Sequence, residues 1–217
     1  MKPATNNMNL PAAGSDLYRE IADCPKCELA RFRTQTVPGS GPIPCDLMFI
    51  GEAPGRNEDE QGLPFVGRSG QLLDRLLTDI GRSRESVYIT NVVKCRPPDN
   101  RDPSNIEVAT CADYLDRQIE IVNPRVIVTL GKFAMTRWFP GAKITAIRGT
   151  PLLESGRWIV PVFHPAYVLR NQPNNLPLIQ ADFAEIQKLV GETDPVPQLD
   201  SSSNKIIEFK EIANGDR

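Results

Sequence analysis

Residues 46–52 read Asp46-Leu47-Met48-Phe49-Ile50-Gly51-Glu52: a short apolar run stopped by a glycine, with a carboxylate directly beyond it. Consecutive apolar residues without alternation fit a strand covered on both faces. The pattern repeats downstream. From Ser69 to Ile80 the apolar positions Leu72, Leu73, Leu76, Leu77 and Ile80 fall at helical spacing, and Gly81 stands where a C-terminal cap belongs. Val87–Val93 reads as a second strand. Ser104 and Glu107 form a capping box for a helix reaching about Ile121. Arg125–Leu130 is a third strand ended by Gly131, with a short helix to Phe139; Trp158–Phe163 is a fourth strand, and Leu178–Val190 a last helix. This alternation predicts an α/β fold, a three-layer α/β/α sandwich around a short, mostly parallel four-stranded sheet.

The 217 residues suffice for one domain, expected over residues 15–190. Residues 1–14 read as a loose tail and 191–217 as a polar one. The stretch GETDPVPQLDSSSNK (191–205) is linker-like, and IIEFKEIANGDR (206–217) suits either a strand or a short helix. No apolar run approaches the ~20 residues of a membrane span, and no apolar leader opens the chain, so a cytoplasmic protein without membrane contact is expected. The formal net charge of −2 gives no global field for nucleic acid. A local basic rim remains available from Arg96, Arg101, Lys132, Arg137, Lys143, Arg148 and Arg170.

In open α/β sheets, ligands bind outside the carboxyl ends of the strands. The unusual residues cluster there: Gly51-Glu52 after the first strand, Asn91 late in the second, His164 directly after the fourth. His164 is the sole histidine, so any imidazole chemistry must use it. Asn91 is an amide inside an apolar strand and needs partners if buried. Phe65, between a glycine-rich loop and a helix start, suits either the core or a stacking platform for a flat ring.

Five cysteines occur. Cys24 and Cys27 form a C-x2-C pair, Cys95 and Cys111 lie further on, and Cys45 stands apart. A cytoplasmic setting disfavours disulfides. The spacing lacks the second C-x2-C of a zinc ribbon and is also accepted by an iron–sulfur cubane; on spacing alone the two metals stand level.

Three ordered segments carry a resemblance: GEAPGRNEDEQGLPFVG (51–67), TNVVKCRPP (90–98) and HPAYVLR (164–170). Together with the cysteines, they make the chain similar to the iron–sulfur, family-four uracil-DNA glycosylases, from about Cys24 to Val190. The resemblance implies a monofunctional enzyme that flips uracil out of DNA and hydrolyses its N-glycosidic bond. It implies a structural [4Fe–4S] cluster on Cys24, Cys27, Cys95 and Cys111. Phe65 would stack on the flipped uracil, Asn91 would read its edge, Glu52 and Ala53 would line the base site, and His164 would stabilise the departing anion. Glu52 and Glu58 would lie near the attacking water. Arg68, Arg96, Tyr167, Leu169 and Arg170 would contact DNA, single- or double-stranded, and the protein would act as a monomer.

Two positions depart from the more familiar glycosylases. Ala53 stands where those enzymes carry a water-activating aspartate, and Gly55 replaces the tyrosine that excludes thymine. The relative that links covalently to DNA needs a second histidine, which this chain lacks. Two rival readings remain. One is a non-catalytic iron–sulfur DNA-binding accessory. The other is a zinc hydrolase, poorly served by a single histidine.

Overall fold

The structure, a computed structural model, describes residues 12–191. In chain order the elements are α1 (Ala12–Ala22), β1 (Leu47–Gly51), α2 (Arg56–Gln61), α3 (Arg68–Asp79), β2 (Tyr88–Asn91) and α4 (Asn105–Val122). They continue with β3 (Val126–Leu130), α5 (Lys132–Met135), α6 (Ile144–Ile147), β4 (Leu152–Glu154), β5 (Arg157–Val162), α7 (Pro165–Arg170) and α8 (Gln172–Gly191).

The sheet order is β2-β1-β3-β5-β4. The first four of these run parallel, and β4 pairs antiparallel with β5. Every residue of β1 and β3 is buried, as expected of strands covered on both faces. Leu47, Phe49, Val126, Val128, Val160 and Val162 pack with Leu72, Leu73, Leu76 and Leu77 of α3 and Ile179, Phe183 and Ile186 of α8. Met48, Ile50, Tyr88, Ile127 and Ile159 pack on the opposite side with Leu115 and Val122 of α4. The chain therefore forms the expected three layers.

The strand count differs. β4 is a three-residue edge strand, joined to β5 by Ser155 and Gly156, whose φ values of 50° and 73° suit a tight two-residue hairpin. The tails differ too. Residues 12–14 already belong to α1, while the rest of the expected N-terminal tail, and the C-terminal one beyond Gly191, lie outside the described residues. α8 begins six residues before the expected start at Leu178, because Pro177 is tolerated inside the helix at the loss of one backbone bond.

β1 is the point where the topology switches. The connection from β1 to its neighbour β2 carries α3 on one face, and the return from β2 to β3, on the other side of β1, carries α4 on the opposite face. A crevice opens at the carboxyl ends of such strands. Gly51 and Asn91 are paired there in register, and Leu130 pairs with Val162 just before Gly131 and His164.

Candidate active site

The end of β1 must be glycine. A Cβ on Gly51 would sit 2.3 Å from Asn91 Oδ1 and 2.7 Å from two ring carbons of Phe65. The missing side chain thus brings an amide and an aromatic ring to one point. Asn91 is buried, and its Oδ1 has no hydrogen-bond partner. Since buried polar atoms are nearly always satisfied, an unpaired acceptor beside a ring marks a place for a ligand's donor.

Phe65 reaches this point through an unusual backbone. Its φ is 53°, rare for a residue with a side chain. Three neighbours hold that conformation. Glu58 Oε1 accepts the amide protons of Val66 and Gly67, both at 2.9 Å. Arg84 donates to the carbonyls of Pro64 (2.8 Å) and Phe65 (2.5 Å) while paired with Asp74. Gly70 leaves room for the Phe65 carbonyl. The other Glu58 oxygen lies 2.7 Å from where a Cβ of residue 55 would stand, so a side chain there would require the Glu58 carboxylate to shift. Glu58 thus spends one carboxylate oxygen on the loop.

His164 closes the pocket. Its ring centroid is 5.7 Å from that of Phe65, at an interplanar angle of 32°. Gly131, with φ 87°, lets β3 pass, since a Cβ there would lie 2.9 Å from His164 Cβ. His164 caps α7, its Nδ1 accepting the Ala166 amide proton at 3.1 Å. That bond assigns the remaining proton to Nε2. Burial, reinforced by the Arg170 charge and opposed by Glu58, pushes the imidazole pKa down to about 4. At neutral pH His164 is an uncharged Nε2–H donor.

Glu52, directly beyond Gly51, has its pKa pushed up to about 7 by burial and by the nearby Asp102 charge, with Lys132 pulling the other way. Lys132 Nζ lies 3.8 Å from Asp102. Ala53 is partly buried and packs against the core beside it. An aromatic ring beside an unpaired acceptor, a neutral donor and a carboxylate poised near neutrality suits cleavage of a bond to a heterocyclic base.

Residues 38–188 match the sequence profile of the Uracil DNA glycosylase superfamily. The chain belongs to this superfamily. Type-4 uracil-DNA glycosylases are similar to it over most of both lengths. The protein of Sulfurisphaera tokodaii is 45% identical, covering 80% of this chain and 83% of the relative. That of Archaeoglobus fulgidus is 45% identical, covering 83% and 94%, and that of Thermotoga maritima 48%, covering 72% and 83%.

The residues expected to contact DNA differ in exposure and partners. Arg68 opens α3 and is exposed. Arg96 holds Asn100 Oδ1 through its Nε at 2.7 Å. Arg170 is exposed at the end of α7, and Tyr167 is 44% exposed and packs on Phe163 with ring centroids 4.9 Å apart. Leu169 is partly buried against the core. No helix among the described residues is long and apolar enough to cross a membrane.

The glycosylase carries a second constellation behind the pocket. Cys24 follows α1, Cys27 precedes a 3-10 turn over Glu28–Arg31, Cys95 follows β2, and Cys111 lies on α4. All four line one cavity with Lys26, Arg33 and Lys94. Arg33 donates to Cys95 Sγ at 3.2 Å. Among the described residues, no three metal-binding side chains converge tightly enough for a single ion. Cys45 sits elsewhere, its thiol donating to the Leu47 carbonyl.

Arg84, Gly70, Lys94 and Asp102 escaped the sequence reading. Lys94 alone left a visible signal, a charge inside the apolar run Val92-Val93-Lys94-Cys95.

Proposed function

We propose that this glycosylase extrudes uracil from DNA, stacks it on Phe65, and hydrolyses its bond to deoxyribose with Glu52, Asn91 and His164 as the acting groups. The observation that carries the reading is the unpaired Asn91 acceptor set against the Phe65 ring. Uracil presents a donor at N3 beside an acceptor at O4, which matches an amide with its oxygen facing N3. Cytosine has no N3 proton and leaves that oxygen unpaired.

Extruding the base costs a few kcal/mol. Bond cleavage between C1′ and N1 leaves the electron pair on uracil. His164 Nε2–H meets that charge at O2, a contribution of roughly 3–4 kcal/mol by analogy with other oxyanion donors. A neutral imidazole is well suited, because it donates without needing to be charged. The cation developing on the sugar is faced by Glu52, which in its ionised form stabilises it and takes the proton lost by the water adding to C1′. Glu58 serves as a positioning residue that fixes the Phe65 loop. Arg68, Arg96, Tyr167 and Arg170 engage the strand on either side of the flipped nucleotide, in single- or double-stranded DNA. Leu169 backs the α7 surface that faces it. The protein acts as a monomer in the cytoplasm.

Cys24, Cys27, Cys95 and Cys111 would hold a [4Fe–4S] cluster. Support comes from the four thiols' shared cavity and its basic lining. When bound, the cluster supplies a structural crosslink that ties the segment after α1 to the end of β2 and to α4.

Incubation with a uracil-containing oligonucleotide, followed by heating in alkali, tests the function. Strand scission at the uracil alone is expected. An intact strand, with DNA binding retained, would instead indicate the accessory role.

A further inference from the structure

Lys94 is 1% exposed, deep between β2 and the cysteine cavity. Lysine is almost never fully buried without an anionic partner. Here the ammonium donates to two neutral oxygens, Thr90 Oγ1 at 2.9 Å and the Asn91 carbonyl at 2.5 Å. Thr90 Oγ1 is itself occupied, donating to the Pro38 carbonyl at 2.7 Å. No carboxylate of the described residues pairs with Lys94. The negative charge that would compensate it must come from the cavity it lines, where Cys95 and Cys111 are neighbours.

We infer that Lys94 is a positioning residue that links the cysteine cavity to the uracil reader. Its ammonium serves as a counter-charge to the thiolate-bound cluster and, through the same three-donor head, fixes the backbone of Asn91. This rests on the iron–sulfur reading above. The geometry makes the coupling direct: Lys94 is adjacent in sequence to the cluster ligand Cys95, and its side chain turns back three residues to Asn91. Arg33 donates to Cys95 Sγ and to the carbonyls of Cys24 and Ala22, and so compensates charge there without bonding to the uracil reader. Of these two cations, only Lys94 touches both sites. The cluster therefore helps to hold a buried cation in place, and that cation holds the residue that reads the base. Losing the cluster would strand the ammonium in an apolar interior and loosen the end of β2 before the domain unfolds.

The test uses anaerobically purified holoprotein and two variants, Lys94→Met and Lys94→Gln. Lys94→Met keeps length and apolar bulk but removes charge and donors; Lys94→Gln removes charge and keeps donors. Four quantities are measured: iron content, the cluster's midpoint potential, and KM and kcat for a uracil-containing oligonucleotide. Removing a nearby positive charge disfavours the reduced cluster, so both variants are expected to shift the potential to more negative values. Lys94→Met should also lose about tenfold in kcat/KM, the size of one charged hydrogen bond, and Lys94→Gln should lose less. A potential unchanged in iron-bearing variants overturns the inference, because a lysine that merely fills space would not tune the cluster. Should Lys94→Met fail to fold, the potential of Lys94→Gln decides alone. Wild-type protein that binds no iron overturns the cluster reading itself, an outcome distinct from an unmoved potential.

Discussion

The carbonyl oxygen of Phe65 occupies the space where a side chain on residue 70 would begin: a Cβ on Gly70 would lie 1.6 Å from it. The left-handed backbone of Phe65 therefore depends on a glycine five residues away, inside the first turn of α3. In an exposed helix Gly→Ala stabilises by roughly 0.5–1 kcal/mol. Here the sign reverses. Gly70→Ala is expected to displace the loop and remove the stacking surface, worth about 1–3 kcal/mol per base. Uracil excision should fall about 10- to 100-fold, with a lowered Tm. Steady-state kinetics and thermal melting on one preparation check both; a gain in Tm with intact activity would show that the loop does not need this conformation.

Asn91→Asp tests base reading. A carboxylate in place of the amide offers acceptors but no donor to uracil O4, and each mismatched group costs about 1–3 kcal/mol. Excision of uracil should drop by one to two orders of magnitude, and some release of cytosine, which offers an exocyclic donor, should appear. Identical uracil kinetics in wild type and variant would remove Asn91 from recognition.

Glu52 gives a pH signature. Its folded pKa, about 7, lies above the ordinary 4.5, so between these values the folded state holds a proton that the unfolded state has released. Its contribution to stability is full below pH 4.5 and declines as pH rises towards 7. His164 has the opposite sign: with a folded value of about 4 against an ordinary 6.5, it adds stability as pH rises from 4 to 6.5. Glu52→Gln should therefore raise Tm relative to wild type at pH 8 but not at pH 4.5, while lowering the rate. Wild-type kcat/KM should climb towards pH 7 as Glu52 ionises. A Tm difference independent of pH would contradict the raised pKa.

The cysteine set predicts a yellow-brown protein with about four irons per chain. Cys95→Ser should lose iron and Tm together, whereas Cys45→Ser should keep both, since Cys45 lies outside the cavity. Stoichiometric zinc after anaerobic purification would replace the cluster with a different metal centre.

Much of this was legible in the chain. Strands such as Leu47–Gly51 announce themselves as unbroken apolar runs because both faces are covered, and the Ser104–Glu107 capping box forms with both bonds in place. β4 was not legible from hydrophobicity, since three edge residues carry no period; its signal was the Ser155-Gly156 turn. Gly51, Asn91 and His164 were readable as strand-end residues, yet their convergence depends on sheet order, which no local pattern encodes. The roles of Arg84 and Gly70 come from contacts 5 to 20 residues distant in sequence, made to a backbone rather than to a side chain. Glu58 was placed near the attacking water by the resemblance alone; its hydrogen bonds to the Val66 and Gly67 amides depend on a loop conformation that no local pattern encodes.

His164 is the residue on which uracil departure depends most directly in the proposed mechanism. With its Nδ1 committed to the Ala166 amide, its Nε2–H is the proposed donor for departing uracil. His164→Ala should lower the single-turnover rate on a uracil-containing duplex by about 10²- to 10³-fold. Binding of that duplex should be nearly unchanged, because the interaction strengthens as charge develops in the transition state. Measuring rate, affinity and Tm together separates the possibilities. A large rate loss with preserved affinity and Tm is the predicted result; parallel losses of all three, or a rate that survives the substitution, would contradict it.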